Sequence, residues 1–288
     1  MRHIRPLLVL AVLAVVAAGC GSSGEQVTIE ATPAAMRKAA ETTLQKGSSK
    51  LELTMEASAQ GKQLTIHGTG TVDPANKQLQ IDLDMAPLNQ HLTEILHGTV
   101  LYMRSPIFQK ATSGKEWIKF DLAKANSSFN DLLANSGTGP LGSDPTSFLQ
   151  FLEGAGKVSQ VGTEDVRGTR TTHFSGSYTL NDALNAMPSD RRQKVQDAFT
   201  ALGISDSASD TPIPFDAWIG DDGLVRRIAT TIDPSQFSTR SNVPLGKMSM
   251  TLELYDFGTT VDITVPADDD VHDVSNLIGK VPTSSTGN

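Results

Sequence analysis

Alternation of apolar and polar side chains is the feature that most restricts what this chain can fold into. From Lys50, apolar and polar residues alternate through Ala57, and residues 63–73 and 78–85 repeat the pattern. A period of two sends successive side chains to opposite faces of a strand, so each run predicts a half-buried β-strand. Turn-forming residues separate the runs, which favours antiparallel neighbours joined by short hairpins.

Comparable runs extend the predicted sheet toward the C-terminus. They cover residues 97–106, 116–124, 158–180, 214–233 and 247–266. The third of these runs turns at Val166-Arg167-Gly168, and Asp222-Gly223 divides the fourth into the two arms of a hairpin. The last run predicts one or two long strands.

Three segments have the apolar period and the end signals of helices. The first spans residues 32–47, the second spans 144–155, and the third spans 181–202 with an interruption near 187–189. Strands and helices together predict an α+β fold, in which a large, strongly curved antiparallel sheet wraps over a few helices.

The first twenty residues have the layout of a secretory signal peptide. Arg2 and Arg5 precede an unbroken apolar stretch over residues 6–18, and this stretch ends at Gly19-Cys20. A membrane-spanning helix needs about twenty apolar residues, so a permanent span is the weaker interpretation of this shorter stretch. Residues 1–19 are therefore expected to be removed as a signal peptide.

Cys20 is the only cysteine of the chain, and its surroundings resemble the lipobox of bacterial lipoproteins. Ala17, Ala18 and Gly19 precede it, and residues 21–24 are a flexible polar tether. A lipobox usually has Leu, Val or Ile in the place of Ala17. A lipid group with two acyl chains on Cys20 would anchor the protein on the extracytoplasmic side of the cell membrane, since two chains give stable membrane attachment. The alternative is a free or intermolecularly paired thiol.

The rest of the chain has no internal repeat and no change of composition that divides it. We expect a lipidated N-terminus and tether over 20–31, one domain over 32–266 and an acidic, disordered tail over 267–288. With a single cysteine, the fold must depend on its packed core rather than on an internal disulfide. The formal net charge of −8 becomes two units more negative without the signal-peptide arginines, which disfavours nucleic acid as a partner.

No recognised catalytic motif occurs: the sequence lacks a GxSxG elbow, an HExxH pair and a phosphate-binding loop. The nearest approach to a zinc site is His91 and His97 with Glu94 as a third ligand, but the spacing does not suit one face of a helix. The acidic runs at 268–270 and 221–222 are better explained as a solvated tail and a turn than as a calcium site or a catalytic pair. The prediction is therefore a protein without enzymatic activity, metal or cofactor.

The alternating strands and the second helix supply apolar side chains that form either a packed core or a ligand cavity. Periodicity alone favours the core, whereas methionines also suit an adaptable apolar pocket. The candidate cavity-lining residues are Leu53, Met55, Ile66, Ile81, Leu83, Met103, Phe148, Phe151, Leu152, Trp218, Met250 and Leu252.

Four segments and the lipobox together resemble the LppX, LprA, LprF and LprG lipoprotein family of actinobacteria, and more distantly the LolA-type lipoprotein carriers. The segments are TPAAMRKAAETTLQKGSSKLELTM, EWIKFDL, AWIGDDGLVRRIATTID and LELYDFGTTVDITVPADDDVHDVS. The resemblance implies a half-barrel whose apolar cavity, between sheet and helices, accepts the acyl chains of lipids or lipoglycans. Residues 125–143, rich in Asn, Ser and Gly, are predicted to be a mobile loop and a candidate lid.

Two functional hypotheses follow from the sequence and the resemblance. The first is a membrane-anchored lipoprotein that binds lipid or glycolipid and carries or presents it in the cell envelope, with an envelope transporter as a further candidate partner. The second is an envelope interaction or signal-sensing module, such as an RseB-like domain, with a solid core and no transported lipid. A hydrolase is a third class, and the chain lacks a recognisable nucleophile or metal set for it.

Overall fold

The computed structural model describes residues 29–59, 62–108, 112, 114–124, 149, 152, 154–186, 192–193, 196, 209–237 and 245–275. The predicted signal peptide, the lipidation site Cys20 and the candidate lid at 125–143 lie outside the described residues. Two candidate cavity residues, Phe148 and Phe151, lie outside them as well.

Twelve strands form one open sheet in the described part of the chain. They are β1 (Ser49–Ala59), β2 (Lys62–Asp73), β3 (Gln78–Ala86), β4 (Gln90–His97), β5 (Val100–Arg104), β6 (Trp117–Asp121), β7 (Val158–Val166), β8 (Thr169–Tyr178), β9 (Ile213–Gly220), β10 (Val225–Ile232), β11 (Leu245–Tyr255) and β12 (Val271–Asp273). Their spatial order is β12-β6-β5-β4-β3-β2-β1-β11-β10-β9-β8-β7. Neighbours are antiparallel except for β12, which is parallel to β6. The predicted α+β class, with a large and mostly antiparallel half-barrel sheet, is confirmed.

The pairing register sorts the side chains of the sheet onto two faces, because directly opposed residues point the same way. Leu51 and Leu53 of β1 belong to the main apolar core, and their face is called the inner face below. Glu52 lies between them on the opposite, outer face, where it stands across from Glu253 of β11. The inner face carries most of the apolar side chains, as the alternation in the sequence predicts.

The main core fills the inner face from β3 across to β8. Its most deeply buried members include Ile81 of β3, Phe174 of β8, Phe215 of β9 and Ile228 of β10. Leu152, from the segment that the sequence predicts as the second helix, is fully buried in the same core.

Helix α1 (Pro33–Gln45) lies against this core. Thr32 caps it, since its Oγ1 accepts a hydrogen bond from a backbone N–H of the first turn at 3.2 Å. Met36 and Ala39 face the core and are buried. The backbone N–H of Val225 donates to Thr43 Oγ1 at 2.8 Å, which fixes the helix to the start of β10. The third predicted helix, expected from residue 181, corresponds to α2 (Leu180–Ala186), which begins one residue earlier.

After β11 the chain crosses the outer face. Gly258 N–H donates to the carbonyl oxygen of Ser48 at 2.7 Å, and the chain then reaches the far edge of the sheet as β12. A second, smaller apolar cluster forms there from Ile95, Trp117 and Val271, with Tyr102 and Ile263 packed against it. The described structure therefore continues past residue 266, the predicted end of the domain, and includes Ser275, whose Oγ accepts from the Asp121 backbone N–H.

Candidate functional site

The inner face has two kinds of apolar surface. Leu51 and Ile81 are at most 2% exposed and form solid core. Other inner-face residues of β1 to β6 are only half-buried, so water reaches part of each side chain. We call the following six the apolar patch: Met55, Ile66, Leu83, Leu92, Met103 and Phe120.

Two glycines shape this surface by leaving β2 without side chains in its middle. A Cβ at Gly68 would lie 2.6 Å from Leu83 Cδ2, and a Cβ at Gly70 would lie 2.1 Å from the carbonyl oxygen of Gln80. Leu83 and the chain of β3 therefore approach the backbone of β2 closely, which only glycine permits.

A depression opens at one end of the inner face, where β2 meets β3 and β4 meets β5. Its volume is about 480 Å³, within the range of about 300–1,000 Å³ that is common for small-ligand pockets. Its lining residues are Val72, Pro74, Lys77, Gln78, Leu79, Leu96, Gly98, Thr99, Leu122 and Ala123. Leu96 joins it to the rest of the inner face along β4.

The predicted cavity residues divide into three groups. Five are buried in the main core: Leu53, Ile81, Leu152, Met250 and Leu252. Four belong to the apolar patch: Met55, Ile66, Leu83 and Met103. The remaining described residue, Trp218, is on the other face.

Trp218 requires a correction, because it lies on the outer face rather than on the inner one. Phe215, Ala217 and Ile219 of the same strand face the main core, and alternation sends Trp218 the other way. Its ring stacks on His173 at 4.3 Å between centroids, and the Arg227 guanidinium lies 5.2 Å from the ring centroid. Trp218 therefore belongs to a polar cluster on the outer face.

Glu94 is a carboxyl group on the inner face that the sequence analysis considered only as a zinc ligand. It stands directly across from Ile81 on one side and from Met103 on the other. It is 6% exposed, and its Oε1 has no hydrogen-bond partner among the described residues. Burial raises the pKa of Glu94 to about 8, because an apolar environment disfavours the charged form. The carboxyl group is therefore protonated at neutral pH.

The other candidate sites from the sequence are separated by the fold. His91 and His97 alternate with Glu94 onto the outer face of β4, where His91 Nδ1 lies 2.9 Å from Asp84 Oδ1. The three residues therefore cannot bind one ion. Within the described ranges, no group of three His, Cys, Asp or Glu side chains is placed to hold a metal.

The two acidic runs, at 221–222 and 268–270, both lie in turns. Asp222 Oδ1 accepts the Leu224 backbone N–H at 3.2 Å, and its Oδ2 accepts from Arg226 at 2.5 Å. Residues 268–270 form an exposed turn of 3-10 helix before β12. None of the described helices is long and apolar enough to cross a bilayer.

The fold and the inner face together define an open-sheet protein with a partly uncovered apolar surface. Solved structures to which it is similar include the lipoprotein LppX of Mycobacterium tuberculosis, with 13% sequence identity and a TM-score of 0.44 over 81% of this chain and 99% of that chain. LprF from Mycobacterium bovis has 11% identity and a TM-score of 0.44, over 82% of this chain and 99% of that chain. LppX and LprF are two of the proteins that give their names to the family that the sequence resembles.

A relative in sequence is an uncharacterized 31.2 kDa protein of Streptomyces griseus, encoded in the rplA-rplJ intergenic region. It is 28% identical over 172 residues, which are 58% of this chain and 51% of that protein. The chain thus spans about half the length of the curated relative that it matches. No protein-family model matches the chain.

Proposed function

We propose that this chain is a membrane-anchored lipoprotein that binds acyl chains of lipids or lipoglycans on the inner face of its sheet and carries or presents them in the cell envelope. The observation that carries the proposal is the apolar patch. Its six side chains share a face with the main core but are only half-buried. The six patch residues thus offer apolar surface beside a solid core, as a binding site for an apolar chain needs.

The energetics favour an acyl chain as the occupant. Each CH₂ group moved out of water contributes about 0.8 kcal/mol, and covering the patch removes its own apolar surface from water as well. An acyl chain is long, narrow and flexible, so it can follow a surface that extends over several strands. The depression beside Leu96 adds space at one end of this path.

The N-terminus supplies the membrane attachment in this proposal. Cleavage before Cys20 and attachment of one diacylglyceryl group to its thiol would leave the domain tethered at the extracytoplasmic membrane surface. The tether then keeps the inner face close to the lipids that it binds. The competing function is an interaction module for another envelope protein, and it requires no lipid on this face.

The proposal is tested by placing one polar side chain on either face of the same strand. Ile66 belongs to the patch, and its neighbour Thr65 is half-buried on the outer face. We compare Ile66→Gln with Thr65→Gln in protein that lacks residues 1–20, is purified without detergent and is delipidated with organic solvent. Binding of a fluorescent fatty acid is measured by titration.

We expect saturable binding by the unmodified protein and by Thr65→Gln. Ile66→Gln should bind about tenfold more weakly, which corresponds to about 1.4 kcal/mol. Equal weakening by both substitutions would refute the inner face as the site. Failure of the unmodified protein to bind any acyl probe would favour the interaction module.

A further inference from the structure

Glu94 occupies an unusual position for a carboxyl group. Among the described inner-face residues of β3 to β6, Glu94 is the one side chain with an ionisable group; the others are apolar or uncharged. Its row across the sheet continues through Ile81 on one side and through Met103 and Ile118 on the other. An ionisable group in the middle of such a row costs stability, so its presence calls for a compensating interaction.

Two more buried oxygen atoms without partners belong to Gln90, on the same strand as Glu94, and to Ser105, just past β5, the strand that pairs with β4. Ser105 follows β5 two residues after Met103, is 1% exposed, and its Oγ has no hydrogen-bond partner among the described residues. Gln90 opens β4 opposite Met85 on the inner face, and its Oε1 is likewise buried and unpartnered. The polar atoms thus concentrate on β4 and at the end of β5.

Unpartnered buried polar atoms are uncommon in folded proteins, since about 90% or more have a partner. Each one costs about 1–3 kcal/mol. Several of them together on one apolar face are explained if a bound molecule supplies the missing partners. The purely apolar part of a lipid cannot do so.

We propose that Glu94 and Ser105 form a polar recognition site for a hydroxyl group carried by the bound lipid, an inference that rests on the proposed function. A protonated carboxyl group has one donor and one acceptor oxygen, and a serine hydroxyl both donates and accepts. A ligand hydroxyl also donates and accepts, so it satisfies both side chains without bringing a charge into the apolar face. The burial that raises the pKa of Glu94 to about 8 keeps the carboxyl group neutral near pH 7.

A cationic amine is the main competing ligand chemistry. It would ionise Glu94 and form a buried ion pair, which needs close geometry and further hydrogen bonds to offset the desolvation of both charges. Ser105 Oγ and Gln90 Oε1 can accept hydrogen bonds from the amine. However, the ionised carboxylate would lie in a row with Ile81, Met103 and Ile118, whose side chains donate none to it. The observations therefore favour a neutral hydroxyl, and the amine becomes an outcome of the test.

The test compares ligands that share one chain and differ at one group. 1-Hexadecanol, hexadecyl methyl ether and hexadecylamine are measured by displacement of a fluorescent fatty acid from delipidated protein that lacks residues 1–20. The unmodified protein is compared with Glu94→Met, which is apolar, and Glu94→Gln, which keeps one donor and one acceptor group. Glu56→Met, at an exposed position of β1, is the matched control.

We expect the unmodified protein and the Glu56→Met control to prefer the alcohol to the ether by about tenfold, the equivalent of one hydrogen bond. Glu94→Met should bind both ligands with no preference, and Glu94→Gln should keep most of the preference. A preference for the amine that disappears in Glu94→Met would overturn the hydroxyl assignment in favour of a cation.

Failure of this inference is distinguishable from failure of the proposed function. Equal binding of alcohol and ether by the unmodified protein overturns the polar site and leaves acyl binding intact. If the unmodified protein does not bind the fluorescent fatty acid at all, so that no displacement can be measured, the proposed function itself is refuted.

Discussion

Replacement of Glu94 by glutamine should stabilise the ligand-free protein, and by more as the pH rises. The pKa of Glu94 is raised by burial from 4.5 to about 8. A carboxyl group whose pKa is higher in the folded state contributes no penalty below its unfolded pKa, because it is then protonated in both states. As the pH rises from 4.5 toward 8, the unfolded state releases its proton and the folded state does not, so stability is lost.

The size of the effect follows from the shift. One pKa unit corresponds to about 1.4 kcal/mol, so the penalty is about 3 kcal/mol at pH 7 and approaches about 5 kcal/mol above pH 8. Glutamine does not ionise and escapes this penalty. For a domain of this size, about 3 kcal/mol corresponds to a rise in Tm of roughly 6–12 °C.

The assay is chemical denaturation of delipidated protein at pH 5, 6, 7 and 8, with Glu94→Gln and the unmodified protein measured in parallel. Other carboxyl groups titrate in both proteins, so they cancel in the difference. Glu56→Gln, at an exposed position of β1, serves as the control and should stay within about 0.5 kcal/mol of the unmodified protein.

The difference between Glu94→Gln and the unmodified protein should be small at pH 5 and grow steadily to pH 8. A difference that does not change with pH would contradict the raised pKa of Glu94, because it would mean that Glu94 titrates alike in the folded and unfolded states. A glutamine variant that is less stable at every pH would show that the carboxyl group has a partner that the amide cannot replace.

Two further predictions concern stability. Gly70→Ala should lower the free energy of unfolding by about 2–3 kcal/mol, because its Cβ would lie 2.1 Å from a backbone oxygen of β3, whereas Gly162→Ala meets nothing within 4 Å and is the control in the same urea titration. Arg167→Gln should cost about 1 kcal/mol, since Arg167 bonds Glu52 and Glu253 together on the outer face. That loss should shrink in 1 M NaCl, and an unchanged loss would contradict an electrostatic cause.

Local alternation was sufficient to predict most strands and the inner face, but it missed β4. No strand is predicted at Gln90–His97, because Glu94 stands where the pattern needs an apolar residue and Ile95 stands where it needs a polar one. The structure explains both departures from the pattern. Ile95 packs in the smaller apolar cluster with Trp117 and Val271, and Glu94 is the buried carboxyl group of the candidate site.

The smaller apolar cluster of Ile95, Trp117 and Val271 was not predictable from the local pattern either. β12 is parallel to β6, and its pairing of Val271 with Trp117 joins residues that are far apart in the sequence. An acidic run directly before such a short strand looks like a tail. Trp218 was counted among the apolar side chains that the alternating strands supply, whereas the alternation of Phe215, Ala217 and Ile219 places it on the outer face.

Lipid binding by the inner face in the cell is tested most directly by looking for that lipid. Protein that lacks residues 1–20 is expressed in a bacterium, purified without detergent, and examined by native mass spectrometry and by mass spectrometry of its organic-solvent extract. We expect a stoichiometric acyl-bearing species, reduced in Ile66→Gln and retained in Thr65→Gln. A protein that is free of lipid, and that also fails to bind added phospholipid and glycolipid, would contradict lipid binding by the inner face.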